Sequence, residues 1–169
     1  MTSLSFEPVA TPNDIARLAA LAEEIWYDYY VPLIGREQVA YMVRKFQSVG
    51  AIAEQIDQGY EYFLVLAGDS RRLIGYTAVQ EQDDGAMFIS KVYLLREERG
   101  HGTGRRLMAF IEDLAQKRGL ERLWLTVNKG NAAVAAYERL GFVIAESIVM
   151  DIGSGFVMDD YRMEKDLSA

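Results

Sequence analysis

The sequence contains no cysteine and a single histidine, His101, in 169 residues. Disulfides, a thiol nucleophile and thiolate metal sites are thereby excluded, and one histidine argues against a histidine triad or metal cluster. No apolar run reaches the ~18 residues of a bilayer span, and no charged start followed by an apolar stretch opens the chain. A cytoplasmic protein without a membrane partner is the expectation. Basic residues are the minority, with Lys+Arg 18 against Asp+Glu 25 and a net charge of -7. That balance argues against nucleic acid and anionic membranes as partners. It suits a cationic small substrate, although solubility alone would account for it. Repeats, low-complexity tracts and long linkers are missing too, so residues 1–169 read as one domain. Half of the residues are hydrophobic and 11% are aromatic, enough for a core that needs no covalent staple.

The chain opens with a short strand, Leu4–Val9, stopped by Pro8 and Pro12. Thr11-Pro12-Asn13-Asp14 has the form of a helix start: a hydroxyl N-cap, a proline in the first turn and an early carboxylate. Ile15, Leu18, Ala22, Ile25, Trp26 and Tyr29 then recur at helical spacing, until Pro32 and Gly35 interrupt. Gln38–Phe46 and Ala51–Asp57 read as two further helices. An antiparallel meander follows: Tyr62–Ala67, Leu73–Val79 and Met87–Leu95, separated by Gly68-Asp69-Ser70 and Asp83-Asp84-Gly85. After a glycine-rich loop, Leu107, Phe110, Ile111 and Leu114 mark a strongly periodic helix, which Lys117, Arg118 and Gly119 close. Leu123–Val127 is almost wholly apolar, as a buried parallel strand would be. Ala132–Leu140 is a second helix. Phe142–Ile152 and Phe156–Lys165 form a final hairpin around Gly153-Ser154-Gly155. This order predicts an α/β (α+β) fold: a mixed, mostly antiparallel sheet of about seven strands with helices on both faces.

The central motif is Arg99-Gly100-His101-Gly102-Thr103-Gly104, placed between the third meander strand and the helix that begins near Thr103. A helix N-terminus leaves about four amides unpaired and carries roughly half a positive charge. Glycines at 100, 102 and 104 remove the side chains that would hold a diphosphate away and permit positive φ. Arg99, Arg105 and Arg106 add cationic side chains nearby. A Walker A loop is absent, because no lysine follows the last glycine. The dinucleotide fingerprint fits poorly: the spacing is Gly-x-Gly-x-Gly, mid-chain, after an antiparallel meander.

Arg99-x-x-Gly102-x-Gly104 after Lys91-Val92-Tyr93-Leu94 resembles the coenzyme A loop of the GCN5-related N-acetyltransferases (GNAT). A second signature of that family is resembled by Asn128–Phe142, with its alanine-rich helix, Tyr137 and then Gly141-Phe142. Tyr137 stands four residues before Gly141, as the family requires. The usual asparagine, seven residues before the tyrosine, is Gly130 here; Asn131 and Asn128 flank it, and Asn131 is favoured. The resemblance covers roughly Phe63 to Lys165. It implies a GNAT fold and direct acetyl transfer from acetyl-CoA to an amine, without a metal. Residues 87–142 would form the donor-binding core and residues 1–60 the variable acceptor side. Val92, Tyr93, Leu94, Arg99, Gly100, His101, Gly102, Thr103, Gly104, Arg105, Asn131 and Tyr137 would contact the donor, with Tyr137 as general acid. Family members often pair through their last strands, which implies a homodimer.

The acceptor is less legible. An alkyl ammonium with a pKa near 10.4 must lose a proton before it attacks, so a base or a water relay is needed. Glu23, Glu24, Tyr30, Tyr60 and Glu61 are candidates, and none is singled out. The aromatic run Trp26-Tyr27-Asp28-Tyr29-Tyr30 would suit an acceptor pocket, since an aromatic face holds a cation with ~0.5–2 kcal/mol. The closing Gly155–Lys165 segment resembles the last strand of bacterial polyamine acetyltransferase-like members, which points to a polyamine or other small cationic amine. Two alternatives stay open: acetylation of a protein or peptide amine, and a non-catalytic acyl-CoA sensor on the same fold.

Overall fold

A computed structural model of the chain describes residues 2–168. The first strand, β1 (Leu4–Pro8), is followed by three helices, α1 (Pro12–Ile34), α2 (Arg36–Phe46) and α3 (Val49–Asp57). At the start of α1, Thr11 Oγ1 accepts from the Asp14 amide and Asp14 returns a carboxylate to the Thr11 amide, a reciprocal capping box. Pro32 does not interrupt the helix as expected. It lies in the last turn, where a proline forfeits a single hydrogen bond, and the helix ends at Gly35, whose amide bonds to the Val31 carbonyl at 3.0 Å.

The meander is β2 (Glu61–Ala67), β3 (Arg72–Glu81) and β4 (Ala86–Leu94). After it come α4 (Thr103–Lys117), β5 (Arg122–Asn128), α5 (Ala133–Arg139), β6 (Val143–Gly153) and β7 (Phe156–Asp166). The turn between the last two strands has positive φ at both Ser154 and Gly155, the twist that a two-residue hairpin loop requires. All seven strands join one sheet in the order β1-β2-β3-β4-β5-β7-β6. Every neighbouring pair is antiparallel except β4 and β5. Helices α1–α3 bury Leu18, Ile25, Trp26, Val39, Met42 and Ile52 against one face. Helix α4 buries Leu107, Met108, Ile111 and Ala115 against the other, where α5 also packs. Apolar residues at helical spacing thus become two cores separated by the sheet.

Strand β5 is parallel to β4 as expected, but that pairing is the shorter of its two. It pairs in parallel with β4 over only three positions, Ala86–Phe88 against Arg122–Trp124, but antiparallel with β7 along its whole length. Leu123, Leu125 and Val127 are buried and the residues between them only partly so. Trp124 stacks on Phe88 at 4.1 Å and under the Arg162 guanidinium at 4.0 Å, which lets a large ring stand on the wetter face. Past Phe88 the β4–β5 ladder stops, and the two strands diverge.

Candidate active site

The divergence begins beside a bulge. Ala78 pairs with Lys91 while Val79 pairs with Ile89, so Ser90 is an extra residue in β4. A bulge bends its strand and increases local twist, which carries the rest of β4 away from β5. On the other flank, β3 holds β4 very close at Gly75. A Cβ there would lie 2.5 Å from the Tyr93 carbonyl oxygen and 2.6 Å from Leu94 Cδ2. The course of β4 beside the opening is therefore set, within its ladder with β3, by an insertion at Ser90 and a missing side chain at Gly75.

Two cavities meet at this opening. The smaller, about 50 Å³, lies among Val92, Tyr93, Asn131, Ala133, Tyr137 and the α1 residues Tyr29 and Tyr30. The larger, about 600 Å³, lies on the α1–α3 side and includes Trp26, Tyr60, Phe88, Lys91, Asn128 and Asp160. Tyr30, Ser90, Tyr93, Thr126 and Val127 line both. Tyr30 and Tyr93 share a hydrogen bond of 2.8 Å between their hydroxyls at this junction.

The glycine loop stands at the end of β4. Gly100 and Gly102 have φ of 79° and 83°, and Gly102 caps α4 in the left-handed conformation, which suits glycine best. A Cβ at either position would meet nothing within 4 Å, so the backbone dihedral and not crowding selects glycine here. The first helical hydrogen bond runs from Arg106 to the Gly102 carbonyl, so the amides ahead of it have no partner within the helix. His101 and Arg105 are exposed and Thr103 is buried.

The flanking cations are not grouped as the sequence reading expected. Arg99 turns back, donating from Nε to the Leu94 carbonyl at 3.1 Å and lying 4.2 Å over the Tyr29 ring. Asp28 Oδ2 is 3.7 Å from its Nη2, a nitrogen that is buried without a hydrogen-bond partner. Arg106 donates to the Thr2 carbonyl at 2.7 Å. The loop is thus braced by Arg99 against α1.

Asn131 and Asn128 are separated by the fold. Asn131 is 8% exposed, accepts from the Ala133 amide at 2.8 Å at the start of α5, and lines the smaller cavity with Tyr137. Asn128 accepts from the Gly130 amide at 2.9 Å and lines the larger one. Burial pushes the Tyr137 phenol well above its ordinary range, helped by the nearby Tyr30 and Tyr29.

Of the base candidates, Glu23 and Glu24 are exposed on α1, and neither lines a cavity. Glu61 is engaged by Arg118 at 2.6 Å. Tyr30 and Tyr60 do reach the larger cavity. Sequence reasoning missed Asp160, which is 2% exposed, with Oδ1 enclosed and lacking a partner. Burial, with Asp159 adding like charge, pushes its carboxyl up to about 6, against the opposing pull of Lys129. Its charge is felt at the Tyr30 hydroxyl, which burial above all has raised. Lys91 was missed as well. The signal for both was an ionisable residue at an inward position of an alternating strand.

Residues 19–142 match the acetyltransferase (GNAT) family. The chain belongs to the GNAT family of acetyltransferases. An uncharacterized N-acetyltransferase of Mycobacterium tuberculosis is 30% identical to this GNAT chain over 156 residues, 92% of the chain and 99% of that protein. Among solved structures, the PaiA N-acetyltransferase from Thermoplasma acidophilum, in complex with coenzyme A, superposes with a TM-score of 0.78 at 20% identity, covering 97% and 99% of the two chains. A spermidine N-acetyltransferase chimera of Vibrio cholerae SpeG and hSSAT gives 0.71 at 18% identity over 98% and 96%. At such identities these structures establish a shared fold, the seven-stranded GNAT sheet with helices on both faces. Membership makes this protein an acetyl-CoA-dependent N-acetyltransferase.

Proposed function

We propose that the enzyme transfers acetyl directly to the primary amine of a small molecule that arrives as an ammonium ion. The observation that carries this reading is the pair of cavities meeting at the β4–β5 opening, with Tyr137 and Asn131 in one and a buried carboxylate in the other. In this reading residues 87–142 hold the donor and residues 1–60 shape much of the acceptor side. The amides around Gly100, Gly102, Thr103, Gly104 and Arg105 fit a diphosphate, since the helix terminus favours an anion. The free edge of Val92–Leu94 offers main-chain groups to the donor's arm. Asn131, not Asn128, belongs with the donor, because it shares a cavity with Tyr137.

When bound, acetyl-CoA supplies an activated acetyl thioester. The residues move protons around it as a nitrogen–carbon bond forms and the carbon–sulfur bond breaks. Asp160, ionised at neutral pH, orients the ammonium; one proton leaves the nitrogen to water before attack, and Asp160 accepts the second, which grows acidic as nitrogen bonds to carbon. Tyr137, held protonated by burial, donates its proton from Oη to the leaving sulfur and regains one from solvent as the products leave. The burial that raises the phenol raises the basicity of that sulfur too, so the transfer stays matched. Such proton transfers contribute on the order of 10²–10⁴ in rate each.

Thiol release with acetyl-CoA and a panel of small primary amines tests the reading. Saturable release that needs an amine supports it; none with any amine, despite donor binding, removes the catalytic assignment. We also propose a homodimer through β6, the edge of the sheet, where Val143 and Val149 are 64% and 67% exposed. An unpaired apolar edge favours association with another strand. Light scattering that gives a monomer mass at working concentration would refute it.

A further inference from the structure

Lys91 has no role in the reaction as drawn. It stands beside the Ser90 bulge and lines the larger cavity, and its Nζ donates to Ser90 Oγ at 2.6 Å. The chain has five lysines. Lys117, Lys129 and Lys165 each pair with a carboxylate. Lys45, at the cavity's exposed rim, bonds to the Ile152 carbonyl and lies over the Phe46 ring. Among the described residues no carboxylate lies within 4.0 Å of Lys91. Desolvation lowers its ammonium to about 8, so it remains largely charged at neutral pH. Lys91 is half-buried, and a partly desolvated ammonium without a counter-ion is costly to hold. Asp160, across the opening on β7, is the complementary case, a buried carboxylate with an oxygen that nothing satisfies.

Each charge therefore awaits a partner, and the two do not neutralise one another. We infer that the acceptor is a zwitterion, whose amine sits against Asp160 and whose carboxylate is held by Lys91 and Ser90. This rests on the acyl-transfer reading above and narrows its acceptor. A polycation would set a second ammonium against Lys91 in a low-dielectric cavity, where like charges repel strongly. A dianionic phosphate would meet the acidic rim of Glu54 and Asp151, which opposes it more than a single carboxylate. The polyamine suggested by the last strand is thus replaced by an amine that also carries an acid, such as a free amino acid.

The test compares matched pairs: α- and ω-amino acids, each beside its own carboxamide, with spermidine as the polycation. Thiol release is followed with acetyl-CoA and the full-length enzyme. The free acids should exceed their amides in kcat/KM by roughly tenfold or more, the worth of one charge-assisted hydrogen bond. Lys91→Met should bring that ratio close to one. Equal rates for acid and amide in the wild type, a preference for spermidine, or an unchanged ratio in Lys91→Met would overturn the inference while leaving acyl transfer intact. Failure of every amine to release thiol would instead overturn the function and this inference with it. Should Lys91→Met fail to fold, the wild-type acid-to-amide ratio decides alone.

Discussion

Replacing Asp160 by asparagine should make this enzyme more stable and less active. The carboxyl moves from an ordinary 3.8 to about 6 on folding. At about 1.36 kcal/mol per unit, holding the charge in place costs about 3 kcal/mol. Water in the adjoining cavity screens part of this, so the expected gain is about 1–2 kcal/mol. Its sign follows from proton binding. The folded state binds the proton more tightly than the unfolded chain, so stability falls as pH rises from about 4 to about 6, and the full cost is present above that. Asparagine removes the titration. The variant's advantage should therefore be small at pH 4 and complete at pH 7, where it raises Tm by about 2–8 °C for a chain of this size. If Asp160 accepts the amine's proton, kcat falls on the order of 10²–10⁴. Its ionisation also sets the rising limb of wild-type kcat/KM near pH 6, a limb the variant lacks. Calorimetry at pH 4.5 and 7, with thiol release at both, reads all of this. An Asp160→Asn variant that is less stable at pH 7, or one of full activity, would refute the reasoning.

Three further outcomes follow. Tyr137→Phe should lower kcat by on the order of 10²–10⁴ with Tm little changed; a fully active variant would remove the tyrosine from proton donation. Gly75→Ala should lose about 1–3 kcal/mol in urea denaturation, because its Cβ would press on the Tyr93 carbonyl at 2.5 Å; an unchanged midpoint would show that β4 yields freely. Gly102→Ala should cost about 1–2 kcal/mol for a left-handed residue and weaken coenzyme A binding in titration calorimetry; unaltered binding would dissociate that loop from the donor.

The meander, the periodic helices and the loop at Gly100–Gly104 were legible because each is a local pattern. Strand alternation, helical spacing and glycine at positive φ are properties of neighbouring residues. The helix start at Thr11–Asp14 was visible for the same reason, though its reciprocal capping bonds were seen only in the structure. The parallel pairing of β5 with β4 was expected, but its longer antiparallel pairing with β7 was not legible, because Leu123–Val127 shows only that its faces bury apolar groups, while its second partner lies along Asp160–Asp166. Arg99 was assigned to the loop by adjacency, but its guanidinium answers to Tyr29 and Asp28, some seventy positions earlier.

The chain's class and the place of its glycine loop were thus legible in the sequence alone, since both lie in short local motifs whose sterics and amide geometry involve neighbouring residues. The proposed acceptor side emerges only from tertiary structure. Asp160 and Lys91 are unremarkable letters in their strands, and Asn131 and Asn128 are three residues apart. What distinguishes each of them is which cavity it faces and whether a counter-charge is near. Desolvation and pairing depend on groups brought together from β4, β7 and α1, and no local pattern encodes that meeting.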